Sequence, residues 1–147
     1  MGRRWQNHRR RIFGAMRYLL DTHIILWALM DQEKLSKKVK EILSNPSNQI
    51  LVSSISFWEV SLKYSLGKLD LAPYTPSDLP RGCADLGFMV IPLLPEISSN
   101  YHKLTATYHK DPFDRMLIWE ALQSNIPFIS KDENVEKYQS EGLVVVW

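Results

Sequence analysis

The sequence predicts an α/β domain with a parallel sheet covered by helices, and three features carry that expectation. Short apolar runs recur along the chain: RYLL at 17 to 20, QILV at 49 to 52, FMVI at 88 to 91 and IPFI at 126 to 129, with LVVVW at 143 to 147 as a fifth. The first four are each followed by turn or cap residues and then by a helical pattern, the alternation of strands joined by crossovers. The runs are apolar throughout rather than alternating, as strands covered on both faces should be.

Between the runs, THIILWALM (22 to 30) reads as a helix after the first strand, and SKKVKEILSN (36 to 45) as one before the second. SFWEVSLKYSLG (56 to 67) follows the second strand, and PFDRMLIWEALQSN (112 to 125) precedes the fourth. Residues 67 to 82 hold Gly67, Pro73, Pro76, Pro80 and Gly82, which predicts an irregular connection. With 147 residues, 45% hydrophobic and 23% charged, the chain suits one domain spanning 16 to 147, without internal repeats. The single cysteine, Cys83, excludes an internal disulfide framework and a cysteine-rich zinc site, and is expected to be a small core residue.

The formal charge of +2 conceals an asymmetry. Residues 1–15 carry five arginines and no acid, which leaves 13 basic against 16 acidic residues in the rest. This basic arm is read as an extension or disordered tail ahead of Met16, or as a nucleic-acid contact. It lacks the apolar core of a signal peptide, and no later apolar run reaches membrane-spanning length, so a soluble, cytoplasmic protein without membrane contact is expected.

Four carboxylates stand at positions where chemistry is plausible. Asp21 directly follows RYLL, at the carboxyl end of the first strand, where open α/β sheets place their ligands; it also fits an N-cap. Glu59 projects into an apolar arc of roughly 80° formed by Ile55, Trp58, Leu62 and Leu66. A capping box from Ser56 to Glu59 would explain it, but Ser53 and Ser54 are the nearer caps. In DPFDR, Pro112 suits the first helical position, which makes Asp111 the N-cap. Asp114 then points with Leu117, Ile118 and Ala121, while Arg115, Trp119 and Glu120 point away. A reciprocal cap between Asp111 and Asp114 is the competing reading. Asp132 follows the fourth run, two residues after Ser130, and as an isolated residue reads as a cap for ENVEKY. Several carboxylates at one sheet edge repel one another unless they share a cation, and oxygen ligation suits Mg²⁺ or Mn²⁺ rather than zinc.

LLDTHIILW (19 to 27), SSISFWEVSLK (53 to 63), DPFDRMLIWEA (111 to 121) and FISKDENV (128 to 135), in that order, resemble a PIN-domain ribonuclease, most closely the VapC-type toxins of bacterial toxin–antitoxin pairs. The likeness covers Met16 to Trp147 and leaves only the arm aside. It implies a PIN-like α/β/α sandwich with a central, mostly parallel sheet of four to five strands and a Mg²⁺- or Mn²⁺-dependent endoribonuclease site. The acidic quartet of such a site falls on Asp21, Glu59, Asp114 and Asp132, with Thr22 and Ser130 as nearby hydroxyls. Ser130 stands where threonine is frequent and keeps the hydroxyl. An RNA substrate, a cognate antitoxin and a homodimer are the partners the likeness implies.

Within that reading Asp21 and Asp114 are the first choices as direct metal ligands, and Glu59 and Asp132 act directly, through water, or by orienting the nucleophile. Lys63 and Arg115 read as RNA phosphate contacts or surface ion pairs. His23 and His109 lack a metal-type spacing and read as local hydrogen-bonding residues. A haloacid-dehalogenase-like phosphatase would need an acid where His23 stands. A receiver domain would need an aspartate after a middle strand, where Pro92 and Leu93 stand. A catalytically silent PIN-like module that binds proteins is the remaining alternative.

Overall fold

The computed structural model describes residues 16–147, so the expectations for the arginine-rich arm, residues 1–15, lie outside the described residues. Five strands, β1 (Arg17–Leu20), β2 (Gln49–Ser53), β3 (Met89–Ile91), β4 (Phe128–Ile129) and β5 (Val145–Val146), form one sheet in the order β3-β2-β1-β4-β5. Every pairing is parallel. All five expected runs contain a strand, but the later three are shorter than their apolar stretches. Phe88 precedes β3, and Ile126 and Pro127 precede β4. Pro127 has no N–H for the ladder; its carbonyl alone takes part, accepting from Leu19 N at 2.9 Å.

The helices are α1 (Thr22–Met30), α2 (Lys37–Ser44), α3 (Ser54–Ser65), α4 (Leu79–Asp85), α5 (Pro95–Ser98), α6 (Pro112–Ser124) and α7 (Glu133–Glu136), with short 3₁₀ turns between some of them. Helix α4 corrects the expectation of an irregular connection through 67 to 82. Pro80 sits in its first turn, where an N–H is not needed. Gly82 leaves room for α1, since a Cβ there would come within 3.0 Å of Leu29 Cδ2.

Side chains that alternate along the strands divide the core in two. Leu19, Leu51 and Phe128 join Phe113, Leu117, Ile118 and Trp119 of α6 and Tyr138 on one face. Leu20, Ile50, Val52 and Ile129 join Ile24, Ile25 and Ala28 of α1, Val39 of α2 and Cys83 of α4 on the other. Two covered faces explain why the central strands are apolar at consecutive positions, Leu19 and Leu20 in β1 and Ile50, Leu51 and Val52 in β2, whereas the outer strand β3 leaves Met89 and Val90 exposed. Each buried side chain of the core contributes about 1.5–3 kcal/mol by leaving water. Cys83 is the core residue expected, its thiol pushed up to about 11 by burial.

Two helix faces differ from expectation. Arg115, Trp119 and Glu120, expected to point away from the core, are buried. For Arg115 and Trp119 the reason is a second covering: residues 97 to 109 and Tyr138 pack over the outer side of α6, and Trp119 Nε1 donates to Ile97 O at 2.9 Å. Glu120 instead meets Ser53 at the end of β2. In α3 the apolar arc is largely outside, with Trp58 61% and Leu66 59% exposed, while the buried residues are Ile55, Ser56, Glu59 and Val60.

The chain leaves β1 towards β2 and later returns on its other side as β4. The crevice between the carboxyl ends of β1 and β4 is therefore the topological switch point, where ligands enter such sheets. Among the described residues no helix is long and apolar enough to cross a membrane.

Candidate active site

Asp21 lies at that switch point. Its backbone N–H donates to Ile129 O at 3.0 Å, which fixes it against the end of β4. Oδ1 accepts from Thr22 N at 2.8 Å and Oδ2 accepts from Ser130 Oγ at 2.7 Å. Asp21 is thus both the N-cap of α1 and a buried carboxylate in the crevice. Ser130 also accepts from Asp132 N at 3.1 Å, so one hydroxyl joins the acid after β1 to the acid after β4.

Glu59 reaches the same crevice from α3. That helix is capped by Ser53, whose Oγ accepts from Ile55 N at 3.2 Å, and the capping-box reading of Ser56 and Glu59 falls away. Thr22 Oγ1 lies 2.8 Å from Glu59 Oε1 and 2.9 Å from Ser56 Oγ. Thr22 has one hydroxyl proton, so it donates to the carboxylate and accepts the proton of Ser56. Glu59 Oε2 pairs with Lys63 one helical turn on, and Lys63 Nζ is 4.0 Å from Asp111 Oδ2. Lys63 is therefore the ion pair expected, with its acid almost wholly buried.

In α6, Asp111 Oδ1 accepts from Phe113 N at 2.8 Å and from Asp114 N at 3.1 Å, so Asp111 is the N-cap beside Pro112. Among the described residues the Asp114 carboxylate returns no bond to the Asp111 backbone, and the reciprocal-cap reading lapses. Asp132 caps α7 by accepting from Asn134 N at 2.8 Å, and its other oxygen lies 2.9 Å from His109 Nε2. His109 Nε2 is 3.9 Å from Asp114 Oδ2. One potential ligand atom from each of His109, Asp114 and Asp132 falls within 4.8 Å of the others.

His109 is the hydrogen-bonding residue expected, but it also stands with Asp114 and Asp132 as a potential ligand, which the sequence reading did not foresee. Nothing in its spacing marks it, because its partners come from α6 and from the turn after β4. Its buried ring stacks on Tyr138 at 6.0 Å, and its backbone N–H donates to the Tyr138 hydroxyl at 3.1 Å. It adds a nitrogen to a set expected to be all oxygen. Arg115 is a correction, being neither a phosphate contact nor a surface ion pair. Its guanidinium is buried, with Nη2 donating to Leu104 O at 2.7 Å, Nε to the Tyr101 hydroxyl at 2.7 Å and Nη1 to the Tyr138 hydroxyl at 3.2 Å. It anchors the loop that carries His109.

The electrostatics show crowding of like charge. Burial pushes the Asp114 carboxyl up to about 8, helped by the negative charges of Asp21, Asp111 and Glu59 and opposed by Lys63. Burial also raises Asp21, against the Ser130 hydrogen bond. Asp132 is the exception: although burial opposes it, the His109 and backbone hydrogen bonds hold its carboxyl below the usual range. Such an arrangement favours a shared cation.

The family model of the PIN domain matches residues 18–141. Ribonuclease VapC22 of Mycobacterium tuberculosis (strain ATCC 25618 / H37Rv) is 21% identical over 129 residues, covering 88% of this chain and 97% of that protein. Among solved structures, VapBC2 from Rickettsia felis, bound to a DNA fragment from its promoter, aligns with a TM-score of 0.61 and 16% identity, over 89% of this chain and 98% of that one. VapBC-1 from nontypeable Haemophilus influenzae aligns with a TM-score of 0.60 and 23% identity, over 89% and 97%. At these identities the structural likeness concerns the fold.

Proposed function

Because this chain belongs to the PIN domain family, we propose that it is a divalent-metal-dependent endoribonuclease that acts as the toxin of a toxin–antitoxin pair. The observation that carries the reading is the gathering of Asp21, Glu59, Asp114 and Asp132 around one crevice, with the Asp114 carboxyl pushed up to about 8 mainly by burial and by its acidic neighbours. The name of the ribonuclease relative supports RNA as the substrate, and the antitoxin complexes among the structural neighbours support an antitoxin as partner. A homodimer completes the set of partners, and the exposed apolar side chains of α3 supply surface for protein contact.

Asp21 and Asp114 would hold Mg²⁺ or Mn²⁺, with Glu59, Asp132 and His109 at its margin. When bound, such an ion supplies positive charge opposite the scissile phosphate and acidifies water at neutral pH. The chain's own groups do the rest. Ser130 and the Thr22 N–H hold the two oxygens of Asp21, and Thr22 fixes Glu59 Oε1. These bonds orient the carboxylates before substrate arrives, so little reorganisation is needed at the reacting centre. His109 keeps Asp132 directed inwards from the turn after β4.

The test is cleavage of total RNA by the purified full chain with Mn²⁺ or Mg²⁺, and again after EDTA. Cleavage is expected only with the ion, and Asp114→Asn should abolish it. Cleavage that persists in EDTA, or in Asp114→Asn, overturns the reading.

A further inference from the structure

The crevice is flanked by an aromatic and cationic cluster that the carboxylates do not use. Trp147 follows β5 at the same edge of the sheet where Ser130 follows β4, and Ser130 N donates to Val146 O at 3.1 Å. The Trp147 indole meets Trp27 of α1 edge to face, with ring centres 6.0 Å apart. Lys131 Nζ lies 5.9 Å from the Trp27 ring centre and 5.8 Å from that of Trp147. Lys34 Nζ approaches Trp27 at 6.0 Å, and the His23 ring lies 6.2 Å from it. Both indoles are half-buried, and Lys131, Lys34 and His23 are exposed. The cluster is continuous with the crevice along the chain: Lys131 stands between Ser130 and Asp132, and His23 follows Thr22.

Packing accounts for only part of this. Each indole rests one side on the core beside Ile24, Ile25 and Ile129. Lys34 is paired with Asp31 at 3.4 Å, but none of the ion pairs among the described residues engages Lys131, and a core edge has no need of a cation over its rings. An exposed amine over an indole is held by only about 0.5–1 kcal/mol, so a stacking ligand can displace it. Aromatic faces beside cations are what an unpaired nucleotide requires, its base stacking and its phosphate meeting the positive charge.

We propose that Trp27, Trp147 and Lys131 form a nucleotide subsite that takes one unpaired base of the RNA next to the scissile phosphate, with Lys131 on the adjoining phosphate. The proposal rests on the ribonuclease reading and extends it to substrate form. A duplex keeps its bases stacked and cannot fill the subsite.

The test measures binding rather than cleavage, in full-length protein carrying Asp114→Asn so that RNA stays intact. A fluorescein-labelled 12-nucleotide RNA of mixed sequence is titrated by anisotropy, alone and annealed to its complement. Adding Trp147→Leu or Trp27→Leu should weaken the single strand roughly 10-fold, within the range of one stacked base, and leave the duplex unchanged. Trp147→Phe should recover much of the loss. Lys131→Gln should make the salt slope shallower by roughly 0.7, the value of one phosphate on a single strand. Single-strand affinity unchanged in folded Trp147→Leu, with an unchanged salt slope in Lys131→Gln, overturns the subsite and leaves the ribonuclease reading standing. If Trp27→Leu does not fold, those two variants decide. Failure of the Asp114→Asn protein itself to bind RNA overturns both readings together.

Discussion

Asp114 and Glu120 share helix α6 and both have raised carboxyls, but for different reasons. Asp114 is pushed up by burial and then by three acidic neighbours, whereas Glu120 rises to about 7 through burial, opposed only by its hydrogen bond from Ser53. Ser53 Oγ donates to Glu120 Oε1 at 2.5 Å while accepting from Ile55 N, so Glu120 steadies the cap of the helix that carries Glu59. A carboxyl raised from 4.5 to about 7 on folding adds stability that is complete below pH 4.5 and is lost as pH rises through 7. Glu120→Gln keeps the bond to Ser53 and removes the ionisation. Urea unfolding at pH 8 should therefore show the variant more stable, on the order of 1–3 kcal/mol, with the advantage gone at pH 4.5. An equal effect at both pH values would show that Glu120 is not titrating across this range. Its burial was not legible in the sequence, because the helical projection assigned it to an outer face. Its partner, Ser53, stands 67 residues earlier at the end of β2, a pairing that leaves no periodic trace.

At the scale of elements, the start of α6 shows what local chemistry can establish. Proline at the first helical position and aspartate before it specify a cap, and that logic alone separates Asp111 from Asp114. The prediction is that Asp111→Asn, which retains the capping oxygen, keeps most of the RNA cleavage. Asp111→Ala should lose about 1 kcal/mol of stability and a larger share of activity, since the cap also sets the direction of Asp114. Thermal unfolding and cleavage rates measured on both variants check this; a folded Asp111→Asn as inactive as Asp114→Asn would place Asp111 among the essential acids. Helix α3 shows the opposite case. Its apolar arc and buried face do not coincide, because the helix turns Ser56 and Glu59 towards Thr22 and leaves Trp58 and Leu66 outside. Periodicity reports where apolar residues lie on a helix, not which side meets the sheet. Glu59 was found because glutamate is out of place in an apolar arc, although that arc proved not to be the core.

For the whole molecule, strand order does what no single motif can. Three of the four acids lie at element ends that the sequence already exposes, so much of the site could be read from caps and strand ends. His109 and Arg115 could not, since their partners are brought together only when residues 97 to 109 fold over α6. The cost of this design is charge. The described part of the chain has 13 basic and 16 acidic residues, and Asp21, Glu59, Asp111 and Asp114 crowd together against Lys63. With Asp114 raised from 3.8 to about 8, its contribution to stability is complete below pH 3.8 and is lost as pH rises through 8, so the ion-free protein should weaken across that interval. A divalent ion at the crevice reverses this, because it binds the ionised carboxylates of the folded chain and competes with their protons. Mn²⁺ at about 100 times its dissociation constant should add about 2.7 kcal/mol at pH 8. In a protein of this size that raises Tm by roughly 5–10 °C. At pH 5 the gain should shrink, since protons hold Asp114 against the ion, and in Asp114→Asn it should largely vanish at either pH. Differential scanning calorimetry of the two proteins at the two pH values separates the possibilities. A Tm gain as large in Asp114→Asn as in the parent would mean that the ion sits elsewhere, and that the crowded carboxylates are balanced by the chain alone.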